Sequence, residues 1–82
     1  MSLQDEFEAA VKRVNGLPSA PPNNVLLDLY GLFKQATVGD ASGKRPGITD
    51  LRGRAKFDAW SGRKGMSKED AMRAYIKAAS AL

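Results

Sequence analysis

Tyr30 and Lys34 stand one helical turn apart, and Phe33 adjoins the lysine. An aromatic ring followed at that spacing by an ammonium suits an aromatic anion, because the ring offers a face for stacking while the cation pairs with a phosphate. A second concentration of charge lies downstream. Between Lys44 and Lys64 there are seven basic residues, Lys44, Arg45, Arg52, Arg54, Lys56, Arg63 and Lys64, against Asp50 and Asp58 alone. Other chemistry is excluded by composition. The chain has no cysteine and no histidine, which removes disulfides, Cys/His zinc sites, thiol nucleophiles and imidazole bases together.

Three short motifs nearly match catalytic patterns and are declined. Gly39 to Arg45 has the look of a phosphate loop, but only three residues separate Gly39 from Gly43, and Arg45 replaces the hydroxyl residue such a loop needs. Ser61 and Lys64 share the Ser-x-x-Lys spacing of penicillin-recognising enzymes in a chain far too short for that fold. The pairs Asp5-Glu6 and Glu69-Asp70 fall in the first turns of helices, where they complement the macrodipole. No metal ligand set and no cofactor is expected, and the chain reads as a binding protein, not an enzyme.

The elements that must position the Tyr30 and Lys34 pair are helices. Ser2 with Asp5 three residues on opens the first, which carries Leu3, Phe7, Ala10, Val11 and Val14 on one face and ends at Gly16. Pro18, Pro21 and Pro22 then make a stiff connector. Asn23 or Asn24 caps a second helix running to about Val38, with Gly39 as its stop. An irregular stretch from Gly39 to Thr49 follows. A third helix is predicted from about Asp50 to Lys64, closed by Gly65, and a fourth from Ser67 with Ala71, Met72, Tyr75, Ala78, Ala79 and Leu82 on its apolar stripe.

The second helix has more apolar surface than one core needs. With Tyr30 as the reference and about 100° per residue, Val25, Leu29, Leu32 and Ala36 lie on one side, while Leu26, Leu27, Tyr30 and Phe33 lie on another. The combined arc approaches roughly 220°, about twice the width of an ordinary core-facing stripe. One explanation is a central helix surrounded by neighbours, with Lys34 snorkelling past them. The other is an amphiphile site in which the second face takes an apolar tail and the ring and ammonium take an aromatic, anionic head. On the third helix Arg52, Lys56 and Arg63 cluster beside Trp60, either as a phosphate-binding stripe or as a solvated face with an ordinary core tryptophan.

At 82 residues, with 43% hydrophobic and 27% charged residues and a net charge of +4, the chain fits one small domain, residues 1–82. No apolar run approaches the length of a membrane span. The opening residues lack the basic stretch and apolar run of a secretory signal, so a cytoplasmic location is expected.

Leu29 to Asp40 (LYGLFKQATVGD) resembles the signature of the acyl-CoA-binding protein family. So do Arg45-Pro46-Gly47, the run Lys56 to Trp60 (KFDAW), the run Gly65 to Ile76 (GMSKEDAMRAYI) and, near the start, Glu6-Phe7. The resemblance implies an all-α, four-helix up-down-down-up bundle that binds medium- to long-chain fatty acyl-CoA without transforming it, as an intracellular carrier and pool former. It places Tyr30, Phe33, Lys34, Lys56 and Tyr75 at head-group contacts, with the lysines on the phosphate at the ribose 3′ oxygen. Leu26 and Leu27 match positions lining the acyl groove. Phe33 replaces the family's second tyrosine, which keeps the ring and loses a hydroxyl. Asn15 occupies the position of a basic first-helix contact, with Lys12 and Arg13 nearby.

The expected partners are the acyl-CoA ligand and enzymes that use it, with no nucleic acid, no stable membrane insertion and a monomeric state. Two other readings remain open from sequence: a small basic helical nucleic-acid binder, whose affinity would fall steeply with salt, and a protein-docking bundle whose second apolar face is a partner surface.

Overall fold

The computed structural model describes residues 2–82, in four helices: α1 (Leu3–Asn15), α2 (Asn23–Thr37), α3 (Leu51–Ser61) and α4 (Lys68–Ser80). Three of the helix starts, at Ser2, Asp50 and Ser67, are the ones the sequence predicts. The Ser2 hydroxyl accepts from the Asp5 N–H at 3.1 Å, and the Ser67 hydroxyl from the Asp70 N–H at 3.0 Å, so each serine satisfies an otherwise unpaired first-turn donor.

α2 departs from expectation at its start and α3 at its end. Neither Asn23 nor Asn24 caps α2. Pro22 holds the N-cap position with φ −55° and no side-chain cap bond, and its carbonyl accepts directly from the Leu26 N–H. The fixed ring of Pro22 delivers an extended residue at the helix mouth, and the helix begins at once. α3 stops at Ser61, short of the predicted Lys64. Gly62 leaves the helix, and the chain tightens through three-residue turns: Arg63 N–H to Trp60, Lys64 N–H to Ser61 and Met66 N–H to Arg63 carbonyls. Gly65 then takes φ 93°, a left-handed conformation open to glycine, and turns the chain into α4.

Phe7, Ala10, Leu29, Leu32, Ala36, Ala71, Tyr75 and Ala79 form the buried core. The Phe7 ring links three helices, stacking on Phe33 of α2 at 6.0 Å and meeting the edge of Tyr75 of α4 at 5.2 Å. α4 packs on α1 and α2, and its alanines on the buried face let both approach closely. Leu82, predicted on that stripe, lies beyond the last turn and stays exposed.

Long-range contacts give the topology. The Arg13 guanidinium donates to the Ala79 and Leu82 carbonyl oxygens at 3.0 and 3.2 Å, which places the ends of α1 and α4 side by side. Gln35, late in α2, donates to the Met66 carbonyl just before α4, so α2 runs against α4. α3 lies on α2 alone among the described helices. Its start faces the start of α2, and Trp60 near its end donates to the Gly39 carbonyl just past α2 at 2.7 Å. The order is therefore up-down-down-up, and the long second connection is the overhand return that a down-down pair requires.

One glycine sets the α2 and α3 crossing. A Cβ on Gly31 would collide with the backbone carbonyl of Ala59, so the helices meet backbone to backbone there. Gln35 closes the bottom of the bundle. Only 1% exposed, it donates to the Met66 carbonyl at 2.7 Å and to the Asp40 carboxylate at 2.8 Å, and the same carboxylate oxygen accepts from the Gly65 N–H at 2.9 Å.

Candidate functional site

The two faces of α2 separate in space as the residue angles require. Leu29, Leu32 and Ala36 enter the core, and Val25 packs at its edge. The second face borders two open clefts that share Leu26 as a common wall. The smaller, about 250 Å³, is lined by Val11, Val14, Asn15, Leu26, Leu29, Tyr30, Phe33 and Tyr75. The larger, about 580 Å³, lies between the first halves of α2 and α3 and is lined by Asn23, Leu26, Leu27, Leu51, Arg52, Ala55 and Lys56.

Lys56 joins the two. Its Nζ sits 5.4 Å from the Tyr30 ring centroid, so a cation from the wall of the larger cleft rests on an aromatic wall of the smaller one. Lys34 lines neither cleft. It lies over the Trp60 ring, with Nζ 4.8 Å from the centroid. Trp60 is held by its indole N–H on Gly39 and by an edge contact with Phe57 at 6.3 Å, so the ring presents a fixed face. An exposed cation on a ring is worth about 0.5–1 kcal/mol, whereas a hydrogen bond to a charged partner is worth about 1.5–3 kcal/mol. Each ammonium therefore rests on a weaker partner than an anionic one would be.

Of the residues singled out from sequence, Asn15, Leu26, Tyr30, Phe33 and Tyr75 come together in the smaller cleft, and Leu26, Leu27 and Lys56 in the larger. Tyr75 is buried except where it meets the cleft, and burial pushes its phenol pKa above the ordinary value. Arg13 is directed away, onto the end of α4. Arg63 does not join the stripe with Arg52 and Lys56: it lies past the end of α3 and pairs with Asp28 of α2 at 3.7 Å. Arg45 is likewise engaged. It makes two hydrogen bonds to the Asp58 carboxylate, at 2.9 and 2.6 Å, which hold that carboxyl below the usual aspartate range and raise the guanidinium. The basic segment thus has fewer free cations than its count of seven suggests.

Sequence reasoning did not assign Leu51, Arg52, Ala55 and Asn23 to the apolar groove. A large apolar residue directly after the Asp50 cap was the available signal for Leu51. Val11 and Val14 were assigned to the core face of the first helix, and they line the smaller cleft from its edge.

The family model described as acyl CoA binding protein matches residues 4–79, nearly the whole chain. The chain belongs to the acyl-CoA-binding protein family. An acyl-CoA-binding protein homolog from Manduca sexta is 57% identical over 77 residues, spanning 93% of this chain and 86% of that one. An acyl-CoA-binding protein from Gossypium hirsutum is 50% identical over 76 residues, 93% of this chain and 85% of its own length. The crystal structure of Oryza sativa acyl-CoA-binding protein 2 superposes with a TM-score of 0.94 at 47% identity, covering 99% of this chain and 90% of that one. The solution structure of the yeast acyl coenzyme A binding protein gives 0.75 at 47% identity, covering 93% and 88%. The all-α fold expected for an acyl-CoA-binding protein is the fold observed, and no helix among the described residues is long and apolar enough to cross a membrane.

Proposed function

We propose that residues 1–82 act as one domain that binds medium- to long-chain fatty acyl-CoA, and that the protein is a monomeric cytoplasmic carrier and pool former which leaves the ester unchanged. The observation that carries this reading is the join between the clefts, where Lys56 lies on Tyr30 beside the shared Leu26 wall. An amphiphile needs that arrangement: apolar walls for a tail, and a ring and a cation at one end for a nucleotide.

In this reading the acyl tail lies against Leu26 and Leu27. The adenine meets the rings of Tyr30 and Phe33, and Lys34 and Lys56 pair with the phosphate on the ribose 3′ oxygen. Tyr75 lies along the ligand, and Asn15 offers an amide where the family has a cation. Burying the tail removes it from water and from membranes, which buffers the ligand for enzymes that consume it. The site's groups hold and shield; none is a nucleophile paired with a base. Native mass spectrometry of the purified protein tests this directly. Acyl-CoA masses on the folded protein are the expected result, and protein that stays bare after incubation with palmitoyl-CoA would overturn the reading.

A further inference from the structure

The two lysines of the site are held unequally. Lys34 is half-buried with its Nζ 4.8 Å from the Trp60 ring centroid, whereas Lys56 is exposed and lies 5.4 Å from that of Tyr30. Lys34 enters none of the ion pairs found among the described residues, so the indole face is what meets its charge. Of the aromatic faces, indole attracts a cation most strongly.

Trp60 is itself fixed from three sides. Its indole N–H is committed to the Gly39 carbonyl at 2.7 Å, its ring makes an edge contact with Phe57, and its backbone is held at the crossing of α2 and α3. A Cβ on Gly31 would come within 3.3 Å of the Trp60 backbone nitrogen, and Lys34 stands one turn beyond Gly31 on α2. The ring and the root of the lysine are therefore kept at a constant separation. Trp60 lines neither cleft, so any influence it has on a ligand passes through Lys34.

We infer that Trp60 is a positioning residue: its indole face holds the Lys34 ammonium where the phosphate on the ribose 3′ oxygen arrives, and stays beneath that ammonium in the complex. This rests on the acyl-CoA reading. An ammonium carries three N–H donors, and laying one side on the ring leaves donors turned outward for phosphate oxygens. A lysine free in water gives up its rotamer freedom on pairing, and one already held on a fixed ring gives up less. Trp60 thereby sets how strongly the site tells a 3′-phosphorylated nucleotide from one that lacks the group.

Calorimetric titration of the full chain with palmitoyl-CoA and with its 3′-dephospho analogue tests this. Trp60→Leu is expected to bind palmitoyl-CoA about two- to fivefold more weakly than the parent, the range of one cation on a ring, and to bind the dephospho ester equally well. Trp60 is the only tryptophan in the chain, so trifluorotryptophan in its place alters one residue. That analogue keeps the indole N–H and shape while drawing charge from the face, and a smaller loss confined to palmitoyl-CoA is expected. Where Trp60→Leu fails to fold, the trifluorotryptophan protein decides. Equal losses for both esters in that protein, no loss for either, or tighter palmitoyl-CoA binding would overturn the assignment, the last because the ring would then be competing with the phosphate. A parent that binds the two esters equally overturns it as well and leaves acyl-CoA binding standing. A parent that binds neither overturns the carrier reading and the assignment together.

Discussion

At the scale of single residues, the site is a question of where two lysines spend their time. In the structure each rests on an aromatic face, Lys34 on Trp60 and Lys56 on Tyr30. Replacing either by alanine should cost about 1.5–3 kcal/mol of acyl-CoA affinity, measured by calorimetry, because a charge-assisted contact is lost. Removing the 3′-phosphate from the ligand should cost a similar amount, and the two losses should overlap rather than add in a double-mutant cycle. Full additivity would place the lysines elsewhere on the ligand. Asn15→Lys adds a cation at the edge of the smaller cleft, and the expected result is an affinity gain of a few fold that fades as salt is raised.

Single elements decide how the clefts are held open. α3 contributes no residue to the buried core and leans on α2 alone, so its amides should exchange faster than those of α2 and α4, and bound ligand should slow them. Gly31→Ala forces a methyl group into the Ala59 carbonyl at the crossing, and a loss of about 1–3 kcal/mol in unfolding free energy is expected, with weaker ligand binding because Tyr30 and Lys56 are pushed apart. The same distinction explains what the sequence made legible. The Ser2 and Ser67 caps, the Gly39 stop and the doubled apolar face of α2 are decided by neighbours in the chain. The diversion of Arg45 and Arg63 to Asp58 and Asp28 depends on partners many residues away. Leu51 has no role in the sequence reading, because only the packing of α3 on α2 makes it a cleft wall.

Across the whole molecule, the loop after α2 is tied at its start by the Asp40 carboxylate. Asp40 accepts from the Gly65 N–H and the Gln35 amide, and these bonds hold its pKa below the ordinary aspartate value. A lowered folded-state pKa stabilises the protein above the ordinary carboxylate range, and that contribution disappears as pH falls through the folded value. Acid unfolding followed by circular dichroism should therefore be less steep in Asp40→Asn, which should also be less stable at neutral pH. The molecule measures 41 × 29 × 14 Å in its principal extents. In the proposed reading a long tail lies along the two open clefts, so binding should depend on how many methylenes they cover. Each buried methylene contributes at most about 0.8 kcal/mol, roughly fourfold in affinity. Calorimetric titration with CoA and with its octanoyl, dodecanoyl and palmitoyl esters puts this to the test: affinity should climb with tail length until the clefts are filled, with free CoA far weaker than any ester. Equal affinities for CoA and palmitoyl-CoA would contradict the account.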